Sequence, residues 1–292
     1  MEITFLGTAC MQPTKERNHP GVLLMYGGEG LLFDCGEGIQ RQLRIAGVKP
    51  TKVKKIFITH WDGDHFFGLP GLLQTMHAAG SEGVELYGPK GTQRMFELLK
   101  KLGKFDLQVT VKEVGKGRVA EEDDYVVYAE ELKHTSPCVG FAFVEKDKRK
   151  MVLSALKKLG IQGPLIGKLQ EGKKVQYKGK TVEPDQVSKV VRGRKVVYVT
   201  DTRPCAGVIK LAKEADVLIL ESTFKSDLEE KAKEFLHLTA REAGHIANEA
   251  QAKRLVLTHF SQRYKDIHEL EEDARDVFDN TQAAEDFMRI KL

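Results

Sequence analysis

Seven consecutive residues, Thr59-His60-Trp61-Asp62-Gly63-Asp64-His65, carry four metal-binding side chains (His60, Asp62, Asp64, His65) within six positions. Imidazole nitrogen and carboxylate oxygen together suit zinc, and mixed nitrogen/oxygen sets also accept manganese. The run from Lys55 to Thr59 reads as a strand that delivers the chain directly into these donors, with Gly63 to allow the turn. Three further predicted strands end in the same way. His134 follows Leu132, Asp201 follows Val199-Thr200, and His259 follows Leu257-Thr258. Each of these alone is weak, because a lone His or Asp after a strand is usually a capping or turn residue. Together they would close a two-metal site, in which water held at two ions attacks an ester.

The elements that must position these donors alternate in type. Glu2 to Leu6 is β-rich and stops at Gly7-Thr8, and Val22 to Tyr26 with Leu31 to Asp34 forms a predicted hairpin around Gly27-Gly28-Glu29-Gly30. Ile39 to Ile45 and Arg94 to Lys101 are predicted helices, whereas Leu107 to Val111 and Val126 to Tyr128 read as extended. Val196 to Thr200 and Val217 to Leu220 are continuous apolar runs, the pattern of strands buried on both faces. Thr239-Ala240-Arg241-Glu242 is a capping-box pattern. It opens a helix whose Ala243, Ile246, Ala247 and Ala250 share one face, with His245 on the other. Leu255 to Leu257 is the last predicted strand. This alternation points to an α/β fold with its site on strand-end loops.

Composition narrows the class. A chain of 292 residues with 41% hydrophobic and 30% charged residues has ample material for a globular core. No apolar run approaches the ~18 residues of a membrane span, and Met1-Glu2-Ile3 lacks the features of a secretory signal. The four cysteines (Cys10, Cys35, Cys138, Cys205) form no C-x-x-C pair, which argues against a disulfide scaffold or a zinc ribbon and predicts a cytoplasmic setting.

Charge is unevenly distributed. From Lys146 to Lys195 there are fifteen Lys/Arg against four Asp/Glu, a local charge of +11, while the remainder carries −7. A basic block on an acidic body points to a polyanionic partner; a solvated lysine-rich surface is the plainer alternative. The block holds one predicted helix (Met151 to Leu159) and a run of Gly, Pro and Lys with no evident core.

The order His-x-x-x-Asp-His, then a later His, Asp and His, resembles that of the metallo-β-lactamase fold. Within it, the local motifs resemble ribonuclease Z, the endonuclease family that matures the 3′ end of transfer RNA. The resemblance is carried by Phe5-Leu6-Gly7-Thr8 with Pro13-Thr14 and Arg17-Asn18, and by Asp34-Cys35-Gly36-Glu37-Gly38 with Gln40-Arg41-Gln42. It continues through Gly68-Leu69-Pro70-Gly71, Asp201-Thr202-Arg203-Pro204-Cys205, Glu221-Ser222-Thr223-Phe224 and the run from Leu257 to Tyr264. Gly163-Pro164-Leu165-Ile166-Gly167-Lys168-Leu169 is similar to the signature of the family's protruding arm, or exosite, which grips the transfer RNA body.

The resemblance implies a four-layer αβ/βα sandwich in two halves, residues 1–145 and 196–292, with residues 146–195 as an inserted basic arm. It implies cleavage of precursor transfer RNA to a 3′-hydroxyl transfer RNA and a 5′-phosphate trailer, two divalent ions (zinc foremost, with manganese or magnesium in view of Asp62), and a homodimer with no membrane association. One ion would be held by His60, Asp62 and His134, the other by Asp64, His65 and His259, with Asp201 bridging. Asp64 would act as general base, and Glu221 with His237 would assist the leaving 3′ oxygen. Arg17, Asn18 and Thr239 would lie near the scissile phosphate, and Gly163, Pro164 and Lys168 would belong to the arm. Trp61 is expected to pack beside the site.

The chain departs from the family pattern at Asp62, where the family has histidine, and at Leu220, where it usually has histidine. Two other readings therefore stand beside the nuclease: a small-molecule hydrolase or phosphodiesterase of the same superfamily, and a catalytically impaired protein that still binds transfer RNA.

Overall fold

The computed structural model describes residues 1–103 and 105–292. These fall into two compact units.

The larger unit comprises residues 1–121, 127–143 and 195–292. Its first sheet contains β1 (Glu2–Gly7), β2 (Gly21–Tyr26), β3 (Glu29–Phe33), β4 (Val53–Phe57), β5 (Val84–Gly88) and β6 (Val109–Glu113) in that spatial order, with the C-terminal strand Arg289–Lys291 added beside β1. The β2–β3 hairpin turns through Gly27 and Gly28 alone, both at positive φ, as a two-residue type I′ turn requires. From β3 onward the strands are parallel. The second sheet is built around β14 (Lys195–Val199), β15 (Val217–Glu221), β16 (Leu255–Thr258) and β17 (Thr281–Ala283), all parallel, and is extended by β9 (Val139–Glu145), β8 (Tyr125–Glu131) and β7 (Gly117–Glu121). Every residue of β15 and β16 is buried, as their unbroken apolar runs predict.

The sheets meet through aromatic rings. Phe33 and Phe57 of the first face Phe141 and Tyr198 of the second, with centroids 5.2–6.1 Å apart. Each such pair adds about 0.5–1.5 kcal/mol beyond simple burial. The outer face of the first sheet is covered by helices α1 (Ile39–Ile45), α3 (Leu69–Ala78) and α4 (Thr92–Gly103), whose Leu43, Leu72, Leu73, Met76 and Phe96 share one core with Leu23, Leu32 and Ile56. On the second sheet, α7 (Ala206–Ala212), α9 (Ala240–Glu249) and α10 (His268–Arg275) form the outer layer. The result is the expected four-layer αβ/βα sandwich. Two short helices, α2 (Gly63–Phe66) and α8 (Glu229–Glu234), lie in strand-end loops.

The smaller unit, residues 122–126 and 144–194, contains α5 (Leu153–Leu159), α6 (Pro164–Gln170), and two antiparallel pairs. β10 (Lys148–Met151) pairs with β13 (Ser188–Val191), and β11 (Val175–Tyr177) pairs with β12 (Lys180–Val182). It also has a core of its own: Leu156, Ile161, Leu169, Val175, Val182 and Val187. This corrects the reading of the stretch as a coreless run. The core residues lie five to eight positions apart on different elements, so no short window shows a helical or strand period. The helix predicted from Met151 also starts later, because Met151 pairs with Ser188 in β10 and Val152 is extended. The C-terminal strand Arg289–Lys291 completes the count as β18. Among the described residues no helix is long and apolar enough to cross a membrane.

Candidate metal centre and active site

The site is assembled at the carboxyl ends of parallel strands: Asp34 follows β3, His60 follows β4, Asp201 follows β14, Glu221 ends β15 and His259 follows β16. Asp34, Asp201 and His259 all have left-handed backbones, with φ of 55°, 49° and 62°. That conformation costs an L-residue about 1–2 kcal/mol, and Asp, Asn and His tolerate it best. Such bends turn each side chain sharply off its strand toward one point. His134 arrives from the loop between β8 and β9, which Leu132 closes by donating its N–H to the Cys138 carbonyl at 3.0 Å.

The donors face one another in two groups around Asp201. Asp201 Oδ2 is 3.5 Å from His60 Nε2 and 3.9 Å from His134 Nε2, and Asp62 Oδ2 lies 3.5 and 3.4 Å from the same two nitrogens. On the other side, Asp201 Oδ1 is 3.5 Å from His65 Nε2 and 3.1 Å from His259 Nε2, and Asp64 Oδ2 is 3.4 and 3.6 Å from those. Most of these separations are too long for good hydrogen bonds. They match the edge of a coordination tetrahedron, about 3.4 Å for ligand bonds near 2.1 Å. Moreover, His60 Nε2, His65 Nε2, His259 Nε2 and Asp201 Oδ1 are buried without a hydrogen-bond partner. Buried polar atoms rarely stay orphaned; cations between them would satisfy all four. The donor sets fit divalent metal ions.

Charge leads to the same conclusion. The facing imidazoles of His134 and His60 hold the Asp62 carboxyl well below the usual carboxylate range. Burial opposes charge on Asp64, yet His65 and His259 hold its pKa far below normal. Burial and the neighbouring His60 resist a proton on His65, but Asp201, Asp64 and Asp34 outweigh them and raise its pKa to about 10. The cluster attracts positive charge to its centre.

Outer contacts orient the imidazoles. Asp34, fully buried, accepts His65 Nδ1–H at 2.8 Å, Tyr198 O–H at 2.9 Å, and the Thr59 N–H and hydroxyl at 2.8 and 3.0 Å. Because Thr59 Oγ1 gives its proton to Asp34, it accepts from His60 Nδ1 at 3.0 Å. Thr223 repeats the arrangement: it donates to Glu221 Oε2 at 2.7 Å and accepts from His259 Nδ1 at 3.1 Å. All three rings are thus left with a bare Nε2 toward the centre. Asp64 Oδ2 receives the Met11 N–H at 2.9 Å, and buried His19 donates through Nε2 to the Met11 carbonyl at 3.0 Å. A Cβ on Gly36 would come within 2.3 Å of the Asp64 carbonyl, so glycine lets the turn after β3 rest directly on the metal-binding helix α2. The sequence reading assigned no role to Asp34, Thr59, Thr223 or His19. Asp34 and Thr223 lie within the motifs that carry the family resemblance, and Asp34 also closes the buried run Leu31-Leu32-Phe33, but neither signal specifies what the side chain holds.

Beside the donors, Glu221 is buried and His237 Nδ1 lies 3.1 Å from its Oε2. Burial works against a proton on His237, but the Glu221 carboxylate prevails and raises its pKa to about 9. Arg203 holds this segment by donating to the His237 carbonyl and to Glu242, which closes the capping box with Thr239.

The three residues expected near the scissile phosphate each make hydrogen bonds within the fold. Arg17 Nη2 donates to the carbonyls of Tyr264 at 2.8 Å and Ser261 at 3.4 Å; Asn18 Nδ2 donates to the Glu37 carbonyl at 2.8 Å; and Thr239 is a buried helix cap. Their polar atoms brace loops, because each sits where two strand-end segments need a cross-link. Gly163, Pro164 and Lys168 are exposed at the start and on the surface of α6 in the smaller unit. Trp61 packs on Phe66 and donates to Thr92 Oγ1 at 3.0 Å, and His245 is exposed, both as expected.

Comparison with known proteins decides the family. The chain is 44% identical to ribonuclease Z of Methanothermobacter thermautotrophicus, across 100% of this chain and 97% of that one. It is 42% identical to ribonuclease Z of Archaeoglobus fulgidus over the same shares. The chain belongs to the ribonuclease Z family. Its fold matches the crystal structure of the short form of human tRNase Z with a TM-score of 0.75 and 33% identity, covering 100% of this chain and 99% of that one. Family profiles described as "Beta-lactamase superfamily domain" and "Anti-Pycsar protein Apyc1" match residues 170–260 and 1–137. Asp62, where the family motif has histidine, lies with His60 and His134 in a group whose ligand atoms could hold a metal ion.

Proposed function

We propose that this protein is a metal-dependent endoribonuclease that removes the 3′ trailer from precursor transfer RNA, leaving a 3′-hydroxyl transfer RNA and a 5′-phosphate trailer. The observation that carries this reading is the pair of donor sets sharing Asp201, in a chain related over its whole length to ribonucleases Z. His60, Asp62 and His134 would hold one ion, and Asp64, His65 and His259 the other. Divalent cations held there would supply Lewis-acid charge to the phosphodiester and lower the pKa of water so that hydroxide is available at neutral pH. Oxygen-rich donors widen the choice of ion from zinc toward manganese and magnesium.

The chain's own groups do the rest. Asp64, ionised and fixed by the Met11 N–H, accepts a proton from the attacking water. His237, protonated at neutral pH beside Glu221, donates a proton to the departing 3′ oxygen. Arg17, Asn18 and Thr239 act through the loops they brace. The basic smaller unit, with Gly163, Pro164 and Lys168 on α6, would grip the transfer RNA body by displacing counterions, and a homodimer in the cytoplasm would supply one arm to each site.

The test is metal analysis of the purified protein together with cleavage of one 3′-extended transfer RNA in zinc and in manganese. Metal-dependent cleavage at the mature 3′ end is the expected result. Turnover of small phosphodiesters without cleavage of the precursor would favour the small-molecule hydrolase, and tight precursor binding without cleavage in any divalent metal would favour the impaired protein.

A further inference from the structure

A cavity of about 370 Å³ opens at the carboxyl ends of β5 and β6, outside the ligand set. Pro89 follows β5 and Val114 follows β6, and the loop from Leu132 to Pro137 that carries His134 forms the opposite wall. Two of its residues adjoin the metal donors. Ser136 Oγ is 3.4 Å from Asp62 Oδ1, and Cys138 Sγ is 3.6 Å from the Asp201 carbonyl. Through these two residues the cavity adjoins the donor cluster.

Its chemistry selects among the parts of an RNA chain. Two carboxylates, Glu113 and Glu131, face one cation, Lys90, so a phosphate would meet net repulsion. Glu113 is held in place by accepting the N–H groups of Gly91 and Gln93 at the start of α4. Glu131 reaches over Gly115, 3.4 Å from where a Cβ on that glycine would lie. Pro89, Val114, Leu132 and Pro137 offer flat apolar surfaces between these acids. A neutral planar ring with hydrogen-bond donors on its edge suits such walls, and a cavity of this size lies within the range of small-ligand sites.

We propose that this cavity seats a nucleobase flanking the scissile phosphate, with Glu131 accepting from the base's amino edge. The proposal rests on the precursor-cleavage reading and adds a specificity subsite to it. The experiment uses precursors carrying one abasic residue, placed either on the 5′ or on the 3′ side of the cut, which also tells which neighbour is bound. For the wild-type protein, one of the two should lose about tenfold in kcat/KM, ordinary for one seated base. Val114→Trp fills the cavity from the wall away from the metal donors. It should cut the intact precursor about tenfold less efficiently, through KM, and become insensitive to the abasic site. Hydrolysis of bis(p-nitrophenyl) phosphate should be unchanged.

Equal cleavage of both abasic precursors by the wild type, or an abasic penalty that persists in Val114→Trp, would overturn the assignment. Where Val114→Trp disturbs small-substrate hydrolysis, Glu131→Gln decides instead. It should weaken discrimination between bases with and without an amino edge at the sensitive position, and unaltered discrimination refutes the proposal. A wild type that cuts the small substrate and no precursor would sink the nuclease reading itself. Cleavage indifferent to flanking bases sinks only the subsite.

Discussion

The two donor sets around Asp201 are alike in chemistry and unlike in support. Each offers two imidazoles, a private carboxylate and one oxygen of Asp201. Asp64 is only 12% exposed and takes a backbone N–H at 2.9 Å, whereas Asp62 is 45% exposed and, among the described residues, has beside its carboxylate the facing histidines and the Ser136 hydroxyl at 3.4 Å. His65 and His259 are oriented through Asp34 and through Thr223; on the other side, His60 is oriented through Thr59 while His134 Nδ1 is buried without a partner. The difference teaches that donor identity does not set affinity alone, since a ligand already fixed in place loses less freedom on binding. The Asp64 side should fill first and hold its ion more tightly.

The largest expected effect removes the residue common to both sides. Asp201→Ala deletes a donor from each set, so metal content should collapse and cleavage disappear while the circular dichroism spectrum is retained. Near-normal cleavage by this variant would defeat the shared-centre arrangement. Asp34→Asn tests the support instead of the ligands. It keeps the shape and removes the charge that orients His65, and should weaken metal binding about 10–100-fold, read by competition with a chelator.

The inequality of the two sides is tested directly by comparing Asp64→Asn with Asp62→Asn. The first should lower the affinity of the tighter site in a calorimetric metal titration and the second only the weaker one, whereas equal losses would erase the distinction. Asp62→His should raise zinc content at the His60/His134 side, since imidazole is the softer donor and reduces the negative charge of the cluster.

A smaller effect is expected on pH dependence. His237 must keep its proton to serve as an acid, and its pKa is raised to about 9, so kcat should fall as pH rises through that value. Glu221→Gln removes the carboxylate that raises it, and the alkaline limb should move to lower pH. A limb that stays in place would show that another group controls it.

The smallest effect on the centre comes from the smaller unit. Replacing the exposed Lys157, Lys158 and Lys168 by Gln should weaken precursor binding and reduce the slope of its logarithm against that of salt by about 0.9 for each duplex phosphate no longer neutralised. Metal content should not change.

Much of the metal centre was legible in the chain because its donors end strands whose apolar runs are visible, and because the segment from His60 to His65 concentrates four of them. The supports were not. Asp34, Thr59, Thr223 and His19 look like ordinary turn or strand residues, and they acquire meaning only when three strand ends and the loop at Met11 converge. Arg17 and Asn18 show the converse: polar residues in a recognisable motif, expected near the substrate, also tie neighbouring loops together through hydrogen bonds to backbone carbonyls.

By itself, the sequence determined which residues could bind cations, where the positive charge is concentrated, and the alternation that implies an α/β sandwich; all three are properties of residue type and spacing. Only the tertiary structure decided how closely Asp201, a bridge suggested by the family resemblance alone, faces each donor set, that Asp62 is loosely held while Asp64 is anchored, and that the basic segment encloses a core of six scattered aliphatics. These depend on left-handed bends at strand ends and on contacts between residues far apart in the chain, and no local pattern encodes either.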